Sequence, residues 1–172
     1  MKVNVIPYNP KWGLQFESEK ELLLKSLKNI ILRIHHIGST SVEGLAAKPI
    51  IDILLEVTAL EELDKSAFIF EELGYEPKGE FGIEGRRYYR KGRDHRTHHI
   101  HAFKEGDENI LRHLAFRDYL RTHPNIAKEY QALKEKLAKE FHDNTKAYCD
   151  GKDAFIKHYE KEALKWKSTH HS

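Results

Sequence analysis

The sequence predicts an α/β chain of the α+β kind: a mixed β-sheet flanked by helices, closed by a helical C-terminal third. Two runs dense in branched apolar residues, Arg33 to Ile37 and Ile50 to Val57, are bounded by Gly38 and Pro49 and read as interior strands. Helical periodicity precedes the first run and follows the second. From Asp107 onward the spacing is helical throughout.

Trp12, Phe16, Leu23, Leu27 and Ile30 recur at helical spacing behind Asn9-Pro10, which predicts an amphipathic helix over 10–29 covering one sheet face. Thr58 with Glu61 resembles a capping box, and Gly74 suits the position just past a helix end, so a second helix is expected over 59–73. Arg86 to Arg90 and Thr97 to Phe103 read as a hairpin, joined by a charged connection, Lys91 to Arg96, able to close over a ligand. Asp107 is a candidate N-cap, and His123-Pro124 marks a break and restart. Ile126, Tyr130, Leu133, Leu137 and Phe141 then line one helix face, and Phe155, Tyr159, Ala163 and Trp166 line a last one. No repeat or linker divides the chain, so residues 1–172 are expected to form one domain.

With 29 Lys and Arg against 27 Asp and Glu the formal charge is +2, so no global field recruits nucleic acid or an anionic membrane. The single cysteine, Cys149, excludes an internal disulfide and a multi-thiolate zinc site and points to a reducing compartment. Met1 to Ile6 lacks a signal peptide's apolar stretch, and no run approaches the roughly 18 apolar residues of a membrane span. The expected location is the cytoplasm. His170 and His171, native or tag, carry no argument.

Ile37-Gly38-Ser39-Thr40-Ser41, followed by Lys48-Pro49-Ile50-Ile51-Asp52, reads as strand, phosphate-cradling turn and strand, with one carboxylate in an apolar run. Gly38 lets backbone approach a ligand, Ser39 offers a hydroxyl and an N–H to phosphate oxygens, and Lys48 supplies a neutralising charge. Thr40 shares the turn with them. Asp52 is a candidate ligand for a divalent metal, magnesium or manganese with zinc as an alternative. In His98-His99-Ile100-His101, His99 and His101 share one strand face with Cα atoms roughly 6.6 Å apart, so both imidazoles can converge on one metal or flank one phosphate. Asp52, His99 and His101 are thus the candidate catalytic and metal-holding set; the bland alternative is a structural carboxylate among satisfied strand histidines. Arg86, Arg87 and Tyr88 offer guanidinium and aromatic groups to an anionic ligand with a flat base, and alternation sends only one arginine inward. Glu56 shares a face with Asp52 but lies about 13 Å away, too far to share a metal site.

The blocks His36 to Val42, Gly44 to Ile53, Gly85 to Tyr88, His98 to His101 and Phe116 to Arg121 together resemble the GrpB family over nearly the whole chain. That resemblance implies a nucleotidyltransferase-like fold, and related domains occur fused to dephospho-coenzyme A kinase. It also implies a phosphate-clamping role for Arg117 and Arg121, whose bland reading is a surface ion pair. Glu43 stands where the family's loop would carry Pro, and Leu54 stands where the wider superfamily places a second carboxylate.

Two classes of function follow. The first is a nucleotidyltransferase-like protein that binds a nucleotide or phosphorylated small molecule, with metal-dependent nucleotidyl or phosphoryl transfer at Asp52. The second is a non-catalytic phosphate-binding module in which Leu54 marks a lost metal position. A histidine-dependent phosphoesterase is a third reading, opposed by the lack of a second H-x-H motif.

Overall fold

The computed structural model describes residues 3–169. Helix α1 (Lys11–Leu27) opens the fold, and the Asn9 side chain accepts a hydrogen bond from the Lys11 N–H at 2.9 Å. Strand β1 (Ile31–Ile37) follows, then a single 3-10 turn at Ser39–Ser41 and strand β2 (Ile51–Val57). Helices α2 (Leu60–Lys65) and α3 (Ala67–Glu72) lead to the short strand β3 (Tyr75–Pro77). The hairpin β4 (Arg86–Lys91) and β5 (His98–Lys104) precedes α4 (Glu108–Thr122), α5 (Pro124–Glu140) and α6 (Thr145–Thr169). Asp107 caps α4 by accepting from the Asn109 N–H at 2.8 Å.

The five strands lie in the order β1-β2-β5-β4-β3. Every neighbouring pair is antiparallel except β2 with β5, which run parallel. The chain reaches the far edge at β3, returns along β4, and drops β5 between β4 and β2. The interior strand β2 is almost wholly buried, as a strand covered on both faces must be.

One sheet face carries the main core. Trp12, Phe16, Leu23 and Leu27 of α1, with Leu63 of α2 and Phe70 of α3, pack on Ile51, Ile53, Leu55, Ile100 and Ala102. The other face holds a smaller cluster, Ile37, Leu54, Phe103 and Ile110 of α4, and α5 and α6 pack beyond it on the 42–47 loop through Tyr130 and Phe155.

The structure departs from the sequence reading in its details. The helix expected over 59–73 is two short ones meeting at Ser66. Thr58 does not cap it, because the N-cap is Ala59 and no side chain caps the first turn. Gly74 does close the segment, with φ +94°, a conformation that suits glycine. Strand β3 has no anticipating signal: three residues with a proline at the edge are too short for alternation to register. The 92–96 connection is a tight turn, with the His95 N–H bonded to the Gly92 carbonyl at 2.8 Å and the Thr97 N–H to that of Lys91 at 2.9 Å. His170 and His171 lie outside the described residues. Among the described residues no helix is long and apolar enough to cross a membrane.

Candidate functional site

Register assembles one polar row across the sheet. Ile37 of β1 pairs with Asp52, Asp52 with His99, and His99 with Arg90. Strand alternation then puts Asp52, His99, His101, Arg86 and Tyr88 on the face covered by the C-terminal helices, and His98 and Arg87 on the opposite one. His98 lies 3.4 Å from Glu19 of α1, and Arg87 pairs with Asp64 of α2 at 2.7 Å.

The Asp52 carboxylate is gripped by the two histidines. Its Oδ1 is 3.2 Å from His101 Nε2 and 3.6 Å from His99 Nδ1. Burial alone would raise its pKa, but the hydrogen bonds and charge of His101 and His99 prevail and hold it well below the ordinary carboxylate range. Burial pushes the His101 imidazole down despite the aspartate. Arg86 Nη1 approaches His101 Nδ1 at 3.3 Å, and since a guanidinium only donates, Nδ1 is the acceptor and Nε2 carries the proton given to Asp52. Arg86 is itself fixed by the carbonyls of Glu80 (3.1 Å) and Phe81 (2.8 Å). Among the described residues the other nitrogen of His99, Nε2, is buried with no partner, an open acceptor once Nδ1–H faces Asp52.

These groups answer one another more than they converge on a cation. His101 has one nitrogen facing a guanidinium and the other donating to the carboxylate, so it offers no lone pair to a metal. Among the described residues no group of three or more His, Cys, Asp or Glu side chains is arranged to hold a metal ion. The Asp52, His99 and His101 set expected from the sequence therefore does not fit a three-ligand metal site as folded. Leu54, at the usual second carboxylate position, is fully buried in the apolar cluster with Ile37 and Phe103. Glu56 is taken up by His35 at 2.6 Å and Arg33 at 3.2 Å.

Asp52 and His99 open into a hollow of about 310 Å³, roofed by the Gly38 to Thr40 turn and walled by α5 and α6. Gly38 has φ +74°, and a Cβ there would stand 2.5 Å from Asp52 Oδ2, so glycine is required both by conformation and by the carboxylate behind it. Ser39 and the buried Tyr130 line the same hollow. Thr40 is buried and fixes the turn: its Oγ1 donates to the Ile50 carbonyl at 3.4 Å and accepts from His36 Nε2 at 2.9 Å.

The cations of the hollow are lysines, and sequence reasoning found only Lys48. Lys134 of α5 and Lys152 of α6 join it, with Tyr130, Tyr148 and Cys149. Lys134 Nζ lies 4.6 Å from the Tyr130 ring centroid, Lys152 Nζ 4.6 Å from that of Tyr148, and Lys48 Nζ 5.2 Å from the same ring. Among the described residues none of the three is paired with a carboxylate, although Asp52 faces the same space. Burial, then Lys152 and to a lesser degree Lys48, lower the Lys134 pKa to about 7, with Glu135 opposing them. Burial and Lys48 lower that of Lys152 as well. A signal was available in retrospect: each new lysine follows a buried tyrosine by four residues on its own helix, Tyr130 to Lys134 and Tyr148 to Lys152.

The structure brings Gly38, Ser39, Thr40, Lys48, Asp52, Tyr88 and His99 around the hollow. It sets His101 and Arg86 behind Asp52 and sends Arg87 to the far face. Arg117 and Arg121 brace the same loop from α4: Arg117 donates to the His36 carbonyl at 3.3 Å, and Arg121 to that of Ser41 at 2.8 and 3.0 Å. Arg121 also lines a separate hollow of about 580 Å³.

Comparison with known proteins agrees with this architecture. A family profile described as GrpB protein matches residues 2–162. The UPF0157 protein YqkA of Bacillus subtilis is 51% identical over 166 residues, 96% of this chain, and the chain spans only 48% of that relative's length. The glutamate-rich protein GrpB of Alkalihalophilus pseudofirmus is 31% identical over 90% of this chain and 92% of its own. The crystal structure of the conserved protein GrpB from Enterococcus faecalis superposes with a TM-score of 0.91 at 52% identity, covering 94% of this chain and 98% of that one.

Two outcomes are expected from this geometry. Gly38→Ala should lower the thermal midpoint by the equivalent of about 1–3 kcal/mol, since it adds a left-handed backbone penalty to contact with Asp52; an unchanged midpoint in calorimetry would show that the turn relaxes freely. The second concerns pH. Between about 7, the folded Lys134 pKa, and the ordinary lysine value of 10.5, the unfolded chain holds the extra proton, so stability should rise with pH in that window. Denaturant titrations at pH 7 and 9.5 should show this gain in the natural sequence and a smaller one in Lys134→Met.

Proposed function

The chain belongs to the GrpB family, and on that premise we propose that it binds a phosphorylated small molecule, a nucleotide among the candidates, in the hollow between Asp52 and helices α5 and α6. The observation that carries the proposal is the charge of that space: among the described residues Lys48, Lys134 and Lys152 line it unpaired with any carboxylate, beside a turn whose Ser39 faces the same hollow. Desolvated cations in a protein cost free energy unless something answers them, and an anionic phosphoryl group does so. Lys48 and Lys152 supply charge, and the Gly38 to Ser39 turn supplies hydrogen bonds. Tyr88 borders the same space and offers an aromatic surface to the organic part of the ligand.

A second reading, metal-dependent nucleotidyl or phosphoryl transfer, is favoured by the unpartnered His99 Nε2 beside Asp52. In that reading His99 is a metal ligand or a general base toward a hydroxyl of the substrate. The nucleotidyltransferase-like fold that the family resemblance implies supports it, and Leu54 weighs against a second metal position.

One variant separates the two. Thermal unfolding should be followed with inorganic phosphate, diphosphate and nucleotides, each with and without magnesium, manganese or zinc, because a ligand of the native state alone raises the midpoint. Simple anion binding predicts stabilisation by diphosphate without metal, weakened about tenfold in affinity by Lys48→Ala or Lys152→Ala. Asp52→Asn should then leave binding intact or strengthen it, since a negative charge is removed. Stabilisation that needs metal and is abolished by Asp52→Asn would establish the transferase reading instead.

A further inference from the structure

We propose that Lys134 is a nucleophilic amine, and that the hollow takes a small phosphorylated aldehyde whose carbonyl condenses with it to form an imine. This deepens the phosphate reading and rests on it. The three lysines are not equivalent. Lys48 and Lys152 are half-buried, whereas Lys134 is 2% exposed, at the inner wall of the hollow. Its Nζ donates to the Ala46 carbonyl and sits over the Tyr130 ring, and no carboxylate is paired with it among the described residues.

The surroundings favour the neutral amine. Lys152 and Lys48 repel a proton from it, Glu135 is the one opposing carboxylate, and burial outweighs them all, so the amine is half deprotonated near pH 7. An ordinary lysine at that pH is almost entirely the unreactive ammonium. The same two cations that depress Lys134 would neutralise the phosphate of the incoming molecule. One element thereby holds the ligand while the other reacts with it.

The chemistry balances without a further reagent. The nitrogen lone pair adds to the carbonyl carbon, forming a C–N bond as the C=O π pair moves to oxygen. Two protons reach that oxygen, one of them from the nitrogen, and it leaves as water while the nitrogen lone pair closes the C=N bond. The second proton comes back from the resulting iminium. Aldehyde and neutral amine give imine and one water.

The test is reductive trapping with pyridoxal 5′-phosphate as the probe, borohydride reduction and peptide mass mapping of the full chain. The expected result is a first adduct on Lys134, formed with a pH midpoint near 7, suppressed by diphosphate and absent from Lys134→Arg. Circular dichroism would verify that this variant is folded, and the site mapping in the natural sequence decides the matter without it. Adducts scattered over exposed lysines, or on Lys48 or Lys152 with Lys134 unmodified, would overturn the proposal. Stabilisation by diphosphate with no Lys134 adduct would overturn the imine alone and leave the phosphate reading standing. Equal labelling by pyridoxal, which lacks the phosphate, would overturn the ligand class together with that reading.

Discussion

Strand β5 enters the sheet between β2 and β4, and because it runs parallel to β2 the step from Asp52 to His99 is one interstrand spacing, about 4.8 Å. Two residues 47 positions apart in sequence become neighbours through that pairing. The antiparallel partner on the other side, Ile37, ends β1 at the same level, so the chain must turn at Gly38 directly against the Asp52 carboxylate. The turn, the carboxylate and the histidines are thus one consequence of strand order, and Gly38 is the residue that lets them coexist.

Around that row the rest of the fold holds a loop in place. Ala46 gives its N–H to Gln131 and its carbonyl to Lys134, both on α5. Ala47 forms a two-way bridge with Ile6, and Arg117 and Arg121 of α4 grasp the carbonyls at the loop's entrance. A buried cation held by a single carbonyl is a poor device for stability alone. Lys134 sits beside Lys48 and Lys152, and among the described residues none of the three is paired with a carboxylate, an arrangement that can favour an anion and perturb an amine.

Much of this was legible in the residues themselves. The Gly38-Ser39 turn, Asp52 in its apolar run and the alternation of His99 and His101 depend on local spacing, and local spacing is what a sequence displays. The inward choice of Arg86 over Arg87 needed only β4's register. Lys134 and Lys152 stayed hidden because a lysine on an amphipathic helix reads as solvated, and only the packing of α5 and α6 onto the 38–48 segment buries Lys134 and half-buries Lys152. The break at Ser66 and the edge strand β3 were missed for a related reason: short elements owe their existence to tertiary contacts more than to pattern. Asp52, His99 and His101 do converge, and His101 is engaged by Arg86 on one nitrogen and Asp52 on the other, which spacing cannot reveal.

Diffraction from crystals grown with tungstate, a phosphate mimic located by its anomalous signal, tests the anion pocket most directly. An anion pocket there predicts a peak inside the hollow, with tungstate oxygens about 3 Å from the Ser39 backbone nitrogen and the Lys48 and Lys152 ammonium groups. Tungstate found only on exposed lysines, with no peak beside Asp52 and the Gly38 turn, would contradict it.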